Sequence, residues 1–299
     1  MVRSRTMIKK SRARLVFEIF NYIFLLLLVL TTAYPFLNQL SISLSTTKYA
    51  YAPGLHIFPN LKGLTLDSYK LIFKSSSLVF GFFNSIIRAA LGTAFSLLVY
   101  GLTAYPLSKR NLPGVKILTW IFVFTMLFDG GIIPNYILIQ KLGLMNKRFA
   151  LIVQGVVSAF NIIIMRNFFF GIPESLEESA KLEGAGDITI YFRIIVPLSK
   201  PVMATIGLWV AVWHWNNWFD ALIYITDRSK QVLQIILREI LINNTGDMMN
   251  EMRMMQNLDF QMLQLRAAVI IVSVVPVVLI YPLIQKYFIK GIMLGSIKG

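Results

Sequence analysis

Six long runs of apolar residues, separated by short polar stretches, set the pattern of this chain; they lie near residues 16–37, 79–105, 117–140, 149–170, 202–224 and 267–289. A helix that crosses the hydrocarbon core of a bilayer needs about 20 mostly apolar residues, because lipid offers the backbone no hydrogen-bond partner. The pattern therefore predicts an all-α membrane protein with six transmembrane helices. The connections are too short to require a separate soluble domain.

Basic residues concentrate at the ends of these runs and give the 299-residue chain a net charge of +15. In a soluble protein this charge would suggest nucleic acid, but only 14% of the residues are charged, against about 25% in an average soluble domain. Six bases precede the first run: Arg3, Arg5, Lys9, Lys10, Arg12 and Arg14. The positive-inside rule therefore predicts a cytoplasmic basic N-terminus over residues 1–15 and a single transmembrane domain over residues 16–299. Six crossings return the C-terminus to the cytoplasm, and we expect no nucleic-acid partner.

Several kinds of chemistry are missing from the sequence. The chain has no cysteine and two histidines, His56 and His214, and these do not form an H-E-x-x-H motif. Thiolate catalysis and zinc chemistry are therefore not expected. No G-x-x-x-x-G-K-[ST] loop is present, so a partner would have to supply any ATP-driven step.

Polar side chains inside the runs are candidate functional residues. In the second run Arg88 shares one helical side with Ser85, Gly92 and Ser96. Arg88 is a candidate for a substrate path, and the alternative is that its long side chain reaches the outer headgroups. The third run is interrupted by FDGGIIPNY, which predicts a kink or a short re-entrant segment. Asp129 in this stretch either contacts substrate or caps the broken helix.

Two later runs carry polar faces. In the fourth, Gln154, Ser158 and Asn161 form a predicted stripe that fits either helix-to-helix hydrogen bonding or a substrate path. In the fifth, LWVAVWHWNNWFDALIYI, helical spacing places four residues on one face with Asn217 at its edge: Trp209, Trp213, Asn216 and Asp220. An aromatic belt at headgroup depth would explain the tryptophans alone. Aromatic rings stack on the C–H faces of sugars, and amides and carboxylates pair with hydroxyls, so we favour a glycan path.

The loop over residues 171–200 is rich in charge, glycine and proline. In SLEESAKLEGAG, Ser175 and Glu178 have the spacing of a capping box at the start of a short helix, and Gly184 and Gly186 permit a turn after it. A second short helix is predicted from Ile188 onward, ended by Pro197 and Pro201. Topology places this small helix-turn-helix in the cytoplasm.

This loop resembles the EAA loop of permease subunits of binding-protein-dependent ABC importers, whose pattern is E-A-A-x-x-x-G followed further on by I-x-x-P. Here the pattern runs from Glu178-Ser179-Ala180 through Gly184 to Ile194 and Pro197. Ser179 replaces the usual alanine, and Glu183 stands where aspartate is frequent. The resemblance implies a coupling helix that docks in a cleft of the ATPase subunit, with these coupling residues: Glu178, Ser179, Ala180, Glu183, Gly184 and Ala185.

The stretches FPNLKGLTLDSY, FNSIIRAALGTAFSLL, YPLSKR, WHWNNWFDALIYI and YPLIQKYFIKGIMLGSIKG are similar to maltose-type carbohydrate permeases, and within these to the LplC-like branch for oligosaccharides or polysaccharides. The resemblance implies the type I ABC importer fold in a bacterial cell membrane and import of an oligosaccharide or complex glycan. It also implies a heterodimer with a second related permease, two ATPase subunits that bind ATP and magnesium, and an extracellular solute-binding protein, either a lipoprotein or periplasmic. The chain itself would bind no cofactor and would not be an enzyme.

Other functions predict different sequence features. The same ABC architecture could carry amino acids or peptides, because the EAA loop does not distinguish substrates. A secondary transporter or channel would need paired intramembrane carboxylates, and the five runs after the first contain only Asp129 and Asp220, both predicted near the outer surface. A membrane enzyme would need an acid/base pair or a metal cluster at depth. The methionine-rich stretch MMNEMRMMQNLDF indicates an adaptable docking surface or a packed lid.

Overall fold

Most of the described part of the chain is α-helical; in this computed structural model the described part comprises residues 11–243 and 262–296. Within these ranges the only β-type pairing is an isolated bridge between Ser45 and Leu64, so the all-α prediction is confirmed there. The predicted cytoplasmic bases Arg3, Arg5, Lys9 and Lys10, and the methionine-rich stretch, lie outside the described residues.

The helices are numbered here along the chain. Their bounds are α1 Arg12–Ser43, α2 Thr47–Ala50, α3 Asp67–Lys74, α4 Ser76–Leu107, α5 Val115–Leu127, α6 Ile132–Lys141, α7 Arg148–Val153, α8 Ala159–Phe170, α9 Glu174–Leu182, α10 Asp187–Ile190, α11 Val196–Leu198, α12 Lys200–Asn216, α13 Phe219–Tyr224, α14 Leu233–Arg238 and α15 Met262–Ser296. A π-helical turn, Tyr191–Ile195, joins α10 to α11, and a second one, Glu239–Asn243, extends α14.

Three of these helices are long and apolar enough to cross a bilayer alone: α1, α4 and the Met262–Pro282 part of α15. Two more spans result if α5 and α6 form one span bent by 113°, and if Asp187–Leu198 and α12 form another bent by 81°. The 12 residues of α8 are apolar but too few for a straight crossing. The described residues thus hold three to five spans, and the count of six stays a prediction.

The third and fourth runs are both broken. The predicted break in the third is confirmed: Gly131 has a φ of 81° ahead of α6, and Asp129 Oδ1 accepts a hydrogen bond from its N–H at 3.1 Å. Asp129 therefore satisfies a backbone donor at the helix start. The prediction of one continuous fourth helix is wrong, because α7 ends before Gly155, whose φ is 76°, and α8 begins after Ser158. The stripe predicted from Gln154 to Ser158 and Asn161 is lost with the helix.

Residues 11–72 and 262–272 belong to one compact unit. Its core joins the end of α1 to the start of α15 through Ile42, Ala50 and Ala267. Gln264 Nε2 donates a hydrogen bond to the carbonyl of Ser45 at 3.2 Å. The apolar side chains of residues 15–30 of α1 are exposed, as expected of a helix whose solvent is lipid.

Residues 73–243 and 273–296 belong to the second unit, in which α4 packs along α8 and α12. Tyr100, Met165 and Ile206 are fully buried in its core. Gly92 lets α12 approach α4 closely, because a Cβ at this position would lie 2.6 Å from Cε1 of His214. The predicted shared side of α4 is confirmed, since all its members are buried: Ser85, Arg88, Gly92 and Ser96.

Candidate functional site

A groove of about 570 Å³ follows the second half of α12 and the turn after it. Its lining combines aromatic and amide side chains with two aliphatic ones: Trp209, Trp213, Trp218, Asn216, Asn217, Leu208 and Val212. None of these lining residues is charged. Trp209 and Trp213 expose 42% and 43% of their surface there. Four predicted substrate-path residues are thus brought together on a surface that can stack on sugar rings and bond to hydroxyls.

The two asparagines of the groove lie where the helical backbone is interrupted between α12 and α13. The helix α12 ends at Asn216, Asn217 is extended with φ −75° and ψ 119°, and α13 begins at Phe219. The prediction of one helical face from Trp209 to Asp220 is therefore wrong at its far end. Asp220 is 6% exposed and does not line the groove.

Arg88 holds this break in place. Its Nη1 donates to the carbonyl of Asn217 at 2.7 Å, and its Nη2 pairs with Oδ2 of Asp220. Arg88 is 2% exposed, so the alternative in which its side chain reaches the headgroups is wrong. The pair lies behind the groove and determines where the backbone leaves α12.

Asn84 and Arg148, to which the sequence analysis gave no role, form further hydrogen bonds between α4, α7 and the segment after α13. Asn84 Nδ2 donates to the carbonyls of Ser229 and Gln231, both at 2.9 Å. Arg148 Nε donates in turn to Asn84 Oδ1 at 3.0 Å. The available signal was the cluster of Asn84, Ser85 and Arg88 in an apolar run, which indicates partners elsewhere in the chain without naming them.

The ring of Trp213 rests on the break between α7 and α8. A Cβ at Gly155 would lie 3.0 Å from Cζ3 of Trp213. The Tyr100 hydroxyl donates to the carbonyl of Gly155 and so ties this turn to α4. The groove wall therefore depends on a glycine that no residue with a side chain replaces without strain.

Asn161 lies at the start of α8, outside the groove lining. Its N–H donates to Ser158 Oγ at 3.4 Å. Its neighbour Phe160 stacks on Trp209, with ring centroids 6.4 Å apart and an interplanar angle of 29°. The structure thus places Asn161 beside a residue that supports the groove wall.

The predicted coupling helix is α9, and its start differs from the prediction. Pro173 takes the N-cap position and no side-chain cap forms, so the predicted capping box of Ser175 and Glu178 is wrong. Ser175 falls inside the first turn, because the helix begins one residue earlier, at Glu174. The predicted second short helix runs over Asp187–Leu198 and then bends into α12.

The turn expected at Gly184 is confirmed. Gly184 has a φ of 84°, and its N–H donates to the carbonyl of Lys181 at 3.0 Å. The N–H of Ala185 donates to the carbonyl of Ala180 at 2.9 Å, which completes a Schellman motif. The motif satisfies the last carbonyls of α9 and reverses the chain.

Charged contacts fasten α9 to the end of α4. Glu177 pairs with Lys109 and accepts a hydrogen bond from the Tyr105 hydroxyl at 3.2 Å. Arg110 pairs with Glu174 at 3.5 Å, and Lys109 Nζ lies 4.1 Å from the centroid of the Tyr105 ring. The sequence analysis assigned none of Glu177, Lys109 and Arg110 to this contact.

The outward surface of this loop contains most of the predicted coupling residues. Glu178, Ser179, Glu183 and Gly184 are exposed, whereas Ala180 and Ala185 are partly buried against the core. Two apolar side chains that were not among the predicted coupling residues, Leu182 and Ile188, are 91% and 75% exposed. Glu178 also lines a cavity of about 540 Å³ between α9 and the end of α4.

The described residues form no cluster of three or more histidine, aspartate or glutamate side chains that could hold a metal ion. His214 is buried and its ring meets that of Trp213 edge-on, with centroids 4.9 Å apart. His56 Nε2 hydrogen-bonds to the carbonyl of Ala52 at 2.8 Å. Packing and backbone contacts therefore account for the positions of both histidines.

Comparison with known proteins gives concordant matches. Residues 110–293 match the family described as "Binding-protein-dependent transport system inner membrane component". The polygalacturonan/rhamnogalacturonan transport system permease protein YtcP of Bacillus subtilis (strain 168) is 39% identical over 283 residues, which cover 95% of this chain and 98% of that protein. Protein LplC of the same organism is 39% identical over 289 residues, which cover 97% of each chain.

Among solved structures, one chain of a bacterial ABC transporter involved in the import of the acidic polysaccharide alginate superposes with a TM-score of 0.87. It is 31% identical, and the match covers 94% of this chain and 100% of that one. A chain from a bacterial alginate ABC transporter in complex with an alginate pentasaccharide-bound periplasmic protein gives a TM-score of 0.54 at 14% identity, covers 90% of this chain and 92% of that one, and shares the fold alone.

Proposed function

We propose a function for this chain from the premise that it belongs to the family of binding-protein-dependent transport system inner membrane components. It is the permease subunit through which an ATP-driven ABC importer takes up an oligosaccharide or complex glycan. It is a multi-pass membrane protein and not an enzyme. The observation that carries the substrate class is its similarity, over 95% of its length, to a permease named for polygalacturonan and rhamnogalacturonan. The relatives described above give no support to the alternative cargo of amino acids or peptides.

The groove along α12 is the proposed sugar path. Trp209, Trp213 and Trp218 would stack on sugar rings, while the amides of Asn216 and Asn217 would bond to hydroxyls. These contacts are individually weak, which suits transport, because a permeating molecule must bind well enough to enter and weakly enough to leave. Arg88, Asp220 and Asn161 act from behind this surface: the first two fix the break at Asn217, and the third lies in the helix that supports Trp209.

The turn at α9 is the proposed contact with the ATPase. Its exposed residues, Glu178, Ser179, Glu183 and Gly184, would meet a cleft of that subunit, and Leu182 and Ile188 would supply apolar contact area. Ala180 and Ala185 pack inward and keep the helix against the core. Movement of α9 would pass to α4 through Glu177 and Lys109.

The complete transporter would contain a second, related permease, two ATPase subunits that bind ATP and magnesium, and an extracellular solute-binding protein. The basic residues before α1 favour a cytoplasmic N-terminus in the bacterial cell membrane. Closure of the ATPase pair would turn the permease pair outward while the binding protein delivers sugar. Transport requires that each ligand contact the two states differently.

The decisive test is ATPase activity of the complex, reconstituted in liposomes with its binding protein, across a panel of oligosaccharides and a control panel of amino acids and short peptides. We expect stimulation by oligosaccharides alone. Stimulation by amino acids or peptides alone would leave the ABC architecture intact and reduce the tryptophans of α12 to an aromatic belt.

A further inference from the structure

A basic side chain contacts one of the tryptophans that line the groove, although it is not itself one of the lining residues. The guanidinium of Arg238, in α14, is centred 4.6 Å from the ring centroid of Trp218, which lines the groove. Trp218 lies in the break between α12 and α13, next to Asn217. A guanidinium that lies over an aromatic ring can still donate hydrogen bonds, because the ring attracts the cation through its π face and takes up none of the N–H groups.

Among the described residues, no acidic side chain forms an ion pair with Arg238. Residues 217–243 contain three acids, and each faces a base: Asp220 faces Arg88, Asp227 faces Lys230 at 2.9 Å, and Glu239 faces Arg228 at 3.1 Å. The hydrogen bonds of Asp227 with Lys230 and Ser229 lower the pKa of its carboxyl to about 2, so it stays ionised and paired at neutral pH. Within the described residues, Arg238 is the one base of this segment with no carboxylate partner.

We propose that Trp218 and Arg238 form a subsite for an acidic sugar, with the sugar ring on the indole and its carboxylate on the guanidinium. This assignment rests on the proposed function and narrows its substrate class to oligosaccharides that contain uronic acids. Arginine suits the task because its planar fork matches the two oxygens of a carboxylate. The lining residues of the groove carry no negative charge that would repel a carboxylate, and Arg238 would supply a cation beside Trp218.

Selectivity for acidic over neutral sugars is expected because a neutral sugar has no carboxylate to pair with Arg238. A bound hexose would exclude water from Arg238 without offering it an anion, whereas a uronate supplies the missing partner. A site that provides a charged hydrogen-bonding group discriminates strongly against a ligand that lacks the matching group. Removal of the guanidinium should therefore affect acidic sugars far more than neutral ones.

The test uses the complete transporter with its binding protein and compares three variants: Arg238→Gln, Arg238→Lys and, as a matched loss of one positive charge, Lys141→Gln. Lys141 is an exposed base at the end of α6, and in the described residues it forms no cation–π contact with Trp218, whereas Arg238 does. Substrate-stimulated ATPase activity and uptake are measured with a uronic acid trisaccharide and with the neutral hexose trisaccharide of the same linkage. The binding protein is unchanged throughout, so differences between variants arise in the permease.

For Arg238→Gln we expect kcat/KM for the uronic acid trisaccharide to fall about tenfold or more, as loss of a charged hydrogen bond implies. The neutral trisaccharide and the Lys141→Gln control should change little, and Arg238→Lys should retain part of the selectivity. Equal losses on both sugars, or no loss on the acidic one, would overturn the subsite. A wild-type complex stimulated by the neutral sugar alone overturns the subsite but leaves the proposed function standing. Stimulation by neither sugar, nor by any other glycan, overturns both.

Discussion

The guanidinium of Arg88 and the carboxylate of Asp220 form an ion pair with side-chain exposures of 2% and 8%. The two residues are separated by 132 positions in the sequence and tie α4 to the break after α12. The same guanidinium bonds the carbonyl of Asn217, which is extended and makes no helical turn. The Arg88–Asp220 ion pair is therefore linked directly to the backbone of Asn217, a residue that lines the groove.

Removal of one member of the Arg88–Asp220 pair should destabilise the folded protein. We expect Arg88→Gln to lower the free energy of unfolding in detergent by about 3–5 kcal/mol, because Asp220 would remain buried without its cation. The double variant Arg88→Gln/Asp220→Asn should recover much of that loss. The measurement is chemical denaturation of the purified complex, and a double variant at least as unstable as the single one would contradict the expectation.

Trp213→Ala should lower glycan uptake while leaving the complex assembled. Trp213 is 43% exposed in the groove, so its removal takes away stacking surface without opening the core. Trp120→Ala is the matched control, because Trp120 is 66% exposed on α5 and does not line the groove. Uptake into proteoliposomes and co-purification of the subunits are measured together; equal uptake by the two variants would remove Trp213 from the path.

Gly155→Ala should displace the Trp213 ring, which lines the groove. The new methyl group would lie 3.0 Å from the Trp213 ring and would force the ring to move. The control is Gly143→Ala, since Gly143 also has a positive φ, of 64°, but has nothing within 4 Å of an added Cβ. Both variants incur a backbone cost of about 1–2 kcal/mol. Only Gly155→Ala should reduce uptake beyond what its thermal stability accounts for.

Glu178→Lys should weaken attachment of the ATPase without unfolding the permease. Glu178 is exposed, and no described residue forms an ion pair with it, so reversal of its charge acts on the partner rather than on the fold. Co-purification of the ATPase should decrease, while the thermal stability of the permease pair stays unchanged. Normal ATPase binding and normal uptake by this variant would count against the proposed docking role.

Lys109→Gln should weaken coupling between sugar and ATPase activity without weakening attachment of the ATPase. The substitution removes the ion pair with Glu177 and so loosens α9 from α4, but it leaves the exposed surface of α9 in place. We expect the ATPase to remain bound and its basal activity to continue, while sugar stimulates it less and uptake falls. Co-purification, basal ATPase activity and stimulated ATPase activity separate this result from that of Glu178→Lys; an unchanged ratio of stimulated to basal activity would exclude Lys109 from coupling.

The sequence by itself determined the helical class, the positions of the apolar runs and the turn after α9. These features are local: a run of apolar residues is a property of about 20 neighbours, and the glycine turn at Gly184 depends on one positive φ. The break in the third run was predictable for the same reason, because FDGGIIPNY contains the residues that interrupt a helix.

Only the tertiary structure decided which polar residues face the groove and which hold it. The break after Asn216 contains no glycine or proline, so its sequence favours a continuous helix; it is stabilised by Arg88, 129 positions away, which bonds the carbonyl of Asn217. The choice of Glu177 rather than Glu178 as the link to α4 likewise depends on Lys109, 68 positions distant. Periodicity and capping act between neighbours in sequence, whereas ion pairs and backbone anchors act between neighbours in space, which only the folded chain brings together.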